Sequence, residues 1–244
     1  MIKRFLDLLV SSVLLILFLP VITVAIFLIW IQDFHNPIYA ATRVGKNGKL
    51  FKMYKLRTMV VNAEKSGIDS TANSDTRITN IGGKIRKYKL DELSQLVNVL
   101  FGSMSLVGPR PNVKRETDLY SNEEALILSC KPGITDLSSI VFADEGSILE
   151  NYKDPDLAYN QVIRPYKSRL AILYVQHQST LLDFKLLIFT FMNFIDRKKS
   201  LSGIQKEVLR LTNDIELAKI CLRESALLPT APPGFDKVIE SRDI

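Results

Sequence analysis

The sequence predicts a mostly helical, membrane-associated α/β protein: a proline-broken apolar helix at the N-terminus, a small core with a few short strands, and amphipathic helices at the membrane interface. Three observations predict it. Leu8–Ile31 is a run of 24 residues without a charge, and Pro20 sits near its middle. A turn signal at Gly45-Lys46-Asn47-Gly48 precedes alternating apolar and basic residues. Beyond residue 90, apolar residues return at helical spacing.

The length and balance of the chain agree with this class. With 244 residues, 47% of them hydrophobic, 24% charged and a net charge of +6, it can bury one ordinary core and is not disordered overall. Cys130 and Cys221 show no bridge or metal spacing, which excludes a disulfide scaffold, and His35 and His177, the only histidines, cannot supply a histidine-rich metal site, which argues against a zinc enzyme.

As a helix, the uncharged run would reach about 36 Å, enough for a bilayer core. It is longer than the apolar part of a signal peptide, and no small-residue cleavage site follows it. Lys3 and Arg4 precede the run, and Arg43, Lys46, Lys49, Lys52, Lys55 and Arg57 follow it with no acid between Phe34 and Ala63. Both flanks therefore favour the cytoplasmic side, which one crossing cannot satisfy. Pro20 removes a backbone hydrogen bond and bends a helix, and Ser11, Ser12 and Thr23 can serve carbonyls nearby. The expectation is a helix–break–helix hairpin over residues 1–32 that enters one leaflet of the phospholipid bilayer and returns. Residues 33–203 then form a cytoplasmic domain, and 204–244 a helical extension with a loose tail.

Along the rest of the chain, residues 38–61 read as strands around the turn, and 62–80 as a polar surface loop. Asp91 to Phe101 reads as a helix, with Leu93, Leu96, Val97 and Leu100 as its inner stripe, stopped by Gly102. Residues 107–111 read as a rigid loop, 112–129 as helical and 134–160 as irregular. Residues 161–198 and 204–222 regain helical pattern. Phe184, Leu187, Ile188, Phe191 and Phe194 make one wide apolar face, closed by Arg197-Lys198-Lys199. Such a face serves either core packing, its commoner use, or the lipid headgroup region.

Asp91-Glu92 is the chemical focus. Adjacent acids at a helix start commonly just cap free N–H groups. Here Lys84, Arg86, Lys87 and Lys89 crowd upstream, while Lys55, Arg57 and Arg110 lie in ordered segments. Cations around paired carboxylates suit a phosphate: guanidinium groups grip its oxygens, carboxylates hold a divalent metal, and a carboxylate can itself attack phosphorus. No GxGxxG or Walker A pattern occurs, nor any Ser or Cys nucleophile arrangement, and the basic charge lacks a nucleic-acid reading module.

These motifs resemble the bacterial sugar transferases, the small monotopic polyprenyl-phosphate phosphoglycosyl transferases that initiate surface-glycan and glycoprotein assembly. The resemblance rests on Phe51–Met59, Asp75–Thr79, Leu90–Leu100, Met104–Pro111, Lys131–Thr135 and the region of Asp183, in order over roughly residues 1–195. It implies a catalytic domain over 33–203, with Asp91 as the nucleophile on a UDP-sugar and Glu92 as its partner. It also implies Mg²⁺ held by Asp91 and Glu92, a phosphosugar carried on Asp91, release of UMP, and transfer to polyprenyl (undecaprenyl) phosphate. Lys55, Arg57, Arg86, Pro109, Arg110 and Pro111 would bind substrate. The expected place is the bacterial inner membrane with the catalytic domain on the cytoplasmic face, and a homodimer is compatible with it. Asp136–Gly146 departs from the family pattern, so no sugar identity carries over. The competing readings are a non-enzymatic basic scaffold docked on anionic lipid and, disfavoured by the basic second flank, a single-pass anchor for an external hydrolase.

Overall fold

The computed structural model describes residues 2–67 and 70–241; part of the expected loop over 62–80, at 68 and 69, lies outside the described residues. Helix α1 runs from Ile2 to Asp33 with Pro20 inside it. The expected division into two helices at Pro20 is not seen, and the helix continues through it. Nearby hydroxyls add local bonds: Thr23 Oγ1 donates to Leu19 O at 2.8 Å and Ser11 Oγ to Asp7 O at 2.5 Å. Most of α1 presents bare apolar side chains, including Phe5, Leu9, Val13, Ile16, Leu17 and Val24.

Polar clamps fasten both ends of α1 to the same globular part. At its start, Lys3 Nζ donates to Asp183 Oδ2 (2.5 Å) and Val107 O (2.9 Å). The buried Asp7 carboxylate accepts from Ser105 Oγ at 2.8 Å and Leu106 N at 3.0 Å. At its end, Arg57 donates to both oxygens of Asp33, at 2.5 and 2.6 Å.

The predicted hairpin is present. Strand β1 (Ile38–Val44) pairs antiparallel with β2 (Leu50–Leu56), Ile38 opposite Leu56 and Val44 opposite Leu50. Its turn needs left-handed backbone at Asn47 (φ 56°) and Gly48 (φ 75°), conformations those two residue types tolerate best. Helix α2 (Asn80–Lys87) follows, capped by Thr79 Oγ1 accepting from Gly82 N at 2.9 Å. The helix expected from Asp91 begins late. Lys89 takes a left-handed conformation (φ 55°), Leu90–Glu92 make one tight 3₁₀ turn, and α3 spans Gln95–Phe101. Arg4 then donates to Leu100 O and to Val99 O, which also accepts from Gly102 N, at the end of α3.

A parallel strand pair, read in the sequence as loops, closes the core: β3 (Ser105–Val107) and β4 (Gly133–Thr135). The backbones meet so closely that a Cβ on Gly133 would lie 2.1 Å from Gly108 N, so only glycine fits. The helix expected over 112–129 is instead the four-residue α4 (Lys114–Thr117) and a 3₁₀ segment, Glu124–Ser129. Ser121 and Glu124 cap one another's backbone N–H there, which starts a new turn and ends the old one. Three short helices, α5 (Leu137–Val141), α6 (Glu145–Leu149) and α7 (Pro155–Ala158), occupy the stretch read as irregular.

Helix α8 (Arg164–His177) lies through the core, burying Tyr166, Leu170 and Tyr174. Ser179 caps α9 (Thr180–Ile195). Helices α10 (Arg197–Leu211), which runs across residue 203, and α11 (Ile215–Ile220) add Leu201, Ile204, Val208 and Leu217 to that core. The tail is not loose: Gln161 Nε2 donates to Ile239 O at 2.7 Å, and Thr230 N to Gln161 O at 3.0 Å. On α9, Leu182 and Leu186 are buried, whereas Phe184, Ile188, Phe191 and Phe194 are exposed, so core packing does not explain that face.

Candidate active site

The site forms where α3 closes the free edge of the hairpin. Strand β1 covers one edge of β2, and α3 supplies partners for the other. Asn98 Oδ1 accepts from Tyr54 N at 2.9 Å, and Asn98 Nδ2 donates to Lys52 O at 2.7 Å. Ser94 Oγ donates to Tyr54 O at 3.0 Å. Ser94 and Asn98 are one helical turn apart, so a single face of α3 holds the strand in register. That register sets Lys55 beside Asp91, with Lys55 Nζ 3.6 Å from Asp91 Oδ2.

Asp91 is 7% exposed, and among the described residues its Oδ1 has no hydrogen-bond partner. Glu92 faces Arg110, which donates from Nη2 to Glu92 Oε1 at 2.7 Å. Burial pushes the Glu92 carboxyl upward, but Arg110, Lys55 and Lys89 outweigh it and bring it to about 2. Arg110 is held more firmly protonated by Glu92, against the effect of burial. Burial and then Arg110 lower the Lys55 ammonium below its ordinary range, a shift that Asp91 and Glu92 partly oppose. The result is a half-buried patch of alternating charge in which each carboxylate has a cation facing it.

Of the residues predicted from sequence, Asp91, Glu92, Lys55 and Arg110 come together. Arg86, on α2, reaches the patch through its charge, which acts on Lys55. Pro109 and Pro111 are buried and shape the backbone carrying Arg110; Pro109 O accepts from Gly133 N at 3.0 Å. Arg57 is not brought to the site. Its guanidinium is spent on Asp33 and on Asn36 O, at 2.8 Å, where it fixes the end of α1. Pro20 lies within α1. Sequence reasoning missed Glu145 and Lys167, ion-paired at 2.7 Å, of which Glu145 acts electrostatically on Arg110. Glu145 stood out only as part of an acidic stretch, and nothing local marked Lys167.

No cluster of three or more metal-type side chains occurs among the described residues. Magnesium, however, is commonly held by one or two carboxylates plus substrate phosphates and water. An unpartnered buried Asp91 oxygen next to Glu92 fits that donor set.

A family profile described as bacterial sugar transferase matches residues 1–197. The chain belongs to the bacterial sugar transferase family. Among its relatives is a putative undecaprenyl-phosphate N-acetylgalactosaminyl 1-phosphate transferase of Bacillus subtilis, 46% identical over 50% of this chain and 68% of that protein. An undecaprenyl-phosphate galactose phosphotransferase of Salmonella typhimurium is 40% identical over 55% of this chain and 31% of its own length. A UDP-glucose:undecaprenyl-phosphate glucose-1-phosphate transferase of Klebsiella pneumoniae is 34% identical over 80% and 40% respectively. This sugar transferase chain thus spans under half the length of two of those three relatives. The family match covers the charged patch and α1 together.

Proposed function

We propose that the protein moves a sugar-1-phosphate from a UDP-sugar to polyprenyl phosphate through a covalent intermediate on Asp91. An Asp91 carboxylate oxygen attacks the phosphorus bearing the sugar, forming an O–P bond. The bond from that phosphorus to the bridging oxygen breaks, and UMP leaves with the electron pair. A phosphate oxygen of the polyprenyl acceptor then attacks the same phosphorus, and Asp91 departs as the carboxylate. The observation that carries the reading is the buried Asp91, ion-paired through Oδ2 to Lys55 and unpartnered at Oδ1. Lys55, Arg86 and Arg110 set positive charge where the diphosphate must lie. Mg²⁺, when bound by Asp91 and Glu92, would neutralise further phosphate charge. The test measures UMP release over a panel of UDP-sugars, with and without polyprenyl phosphate, and the mass of enzyme quenched with donor alone. A sugar-phosphate adduct on Asp91 is expected; UMP release with no adduct under any donor overturns the covalent route.

The same proposal sets α1 as a re-entrant helix with the globular part on the cytoplasmic side. Clamps at Lys3, Asp7 and Asp33 to one globular body support that arrangement, because a straight crossing would separate them by a bilayer. The exposed face of α9 would then rest at the headgroup level, with the exposed Lys198 and Lys199 toward lipid phosphate. Each phenylalanine withdrawn from lipid forfeits about 1.5–3 kcal/mol. The double variant Phe184→Glu/Phe191→Glu is therefore expected to raise the KM for polyprenyl phosphate in vesicles roughly 100-fold or more. UMP release in the first half-reaction should be unchanged, and an unaltered acceptor KM would remove α9 from the bilayer.

A further inference from the structure

We propose that Glu145 selects the donor sugar, its carboxylate accepting hydrogen bonds from hydroxyl or amide N–H groups of the sugar ring. The inference deepens the transfer reaction above and rests on it. Glu145 lies at the start of α6. Its charge acts on Arg110, and Arg110 itself bonds Glu92. Lys167 Nζ engages only Oε2 of Glu145, at 2.7 Å, and stands 5.4 Å from the centre of the Tyr159 ring. Among the described residues, Oε1 accepts no hydrogen bond, and the side chain is 31% exposed. Burial raises the Glu145 carboxyl, but Lys167, Arg110 and Lys89 outweigh it and hold the group below its ordinary range. An acceptor with one free oxygen thus stands within electrostatic reach of the patch.

A carboxylate repels phosphate, so the diphosphate belongs with Lys55, Arg86 and Arg110. Glu145 is suited to a neutral neighbour of that diphosphate that carries hydrogen-bond donors. The sugar is such a group, attached to the very phosphorus that Asp91 attacks. Selection also needs a rigid mount, and α6 has one. Asn73 binds it on one side, with N donating to Gly146 O at 3.2 Å and Nδ2 to Ser147 Oγ at 2.8 Å. On the other side Asp144 pairs with Arg197 at 2.9 Å and Arg223 at 3.6 Å. The segment beyond residue 203 therefore braces the selecting residue. A Cβ on Gly146 would lie 2.3 Å from Asn73 Oδ1, so glycine keeps this junction tight.

The test compares kcat/KM for UMP release over UDP-sugars that differ at single hydroxyl or acetamido positions, in wild type, Glu145→Gln and Glu145→Asp. Inhibition by UMP is measured in parallel. Loss of a hydrogen bond to a charged acceptor is worth about ten-fold or more. The ratio of the best donor to its epimers should thus fall by that factor in both variants, with the UMP inhibition constant within two-fold of wild type. Glu145→Asp keeps a charge opposite Lys167 but shortens the reach, so a purely structural ion pair would be restored by it and the sugar ratio would recover. Such recovery, an equal loss for every donor, or a matching loss of UMP affinity overturns the proposal. Wild-type protein that releases no UMP from any donor sinks the transfer reaction itself, and this inference with it.

Discussion

Asp91→Asn is expected to reduce UMP release by roughly 10⁴-fold or more, the scale on which removing a covalent nucleophile acts. The amide matches the carboxylate in size, so the packing around the 3₁₀ turn should be retained. It lacks the charge that faces Lys55 and cannot supply an anionic oxygen to phosphorus. Lys55 keeps the opposing charge of Glu92, and the Lys55–Asp91 pair is loose, at 3.6 Å, so its loss should cost less thermal stability than breaking a tight buried pair. Two readings separate the nucleophile from a mere charge partner. In the wild type, labelled UMP should exchange back into UDP-sugar with no acceptor present, since the first step is reversible and complete in itself. In the variant, both that exchange and the mass of the phosphosugar adduct should vanish. Turnover within ten-fold of wild type would take the central role from Asp91.

How far the sequence shows this site depends on the range over which each constraint acts. The hairpin is legible because Asn47 and Gly48 supply the turn and the alternation falls on adjacent residues. Asp91, Glu92, Lys55 and Arg110 are legible as a charge pattern, since paired acids among several cations suit a phosphate. Arg57 follows the same pattern and ends elsewhere. Its partner, Asp33, lies just past the apolar run, and only the fold shows that the two meet. The 3₁₀ turn under Asp91 was hidden too. It depends on the left-handed Lys89, a residue type with no preference for that conformation. Strands β3 and β4 have three residues each, too few for a period, and their pairing is set by the contact of Gly108 with Gly133. Glu145 and Lys167 are 22 residues apart on different helices, a separation at which sequence pattern is silent. On α9 the stripe was legible and its direction was not, because Leu182 and Leu186 one step round the helix fit the core equally well.

The largest stability effect should come from a group far from the chemistry. Glu124 and Arg164 form a salt bridge at 2.6 Å with side chains 0% and 2% exposed. Their polar atoms are well served: Arg164 also donates to Glu124 Oε1 (3.0 Å), Asn160 Oδ1 (3.0 Å) and Leu119 O (2.7 Å), and Ser168 Oγ donates to Glu124 Oε1 at 2.6 Å. The guanidinium carbon lies 5.6 Å from the Tyr120 ring and 5.7 Å from that of Phe235, so the tail is tied to the same point. Glu124→Gln leaves a charged Arg164 buried without its counter-charge, which costs about 3–5 kcal/mol. For a chain of this size that lowers the melting temperature by roughly 10 °C. Replacing both partners, as Glu124→Gln with Arg164→Met, removes the stranded charge and should recover part of the loss, because the penalty lies in the unpaired ion more than in the missing attraction. UMP release per folded molecule should be unchanged in both variants at low temperature. A double variant no more stable than Glu124→Gln would show that shape, not charge, holds α8 to the 3₁₀ segment at Glu124–Ser129.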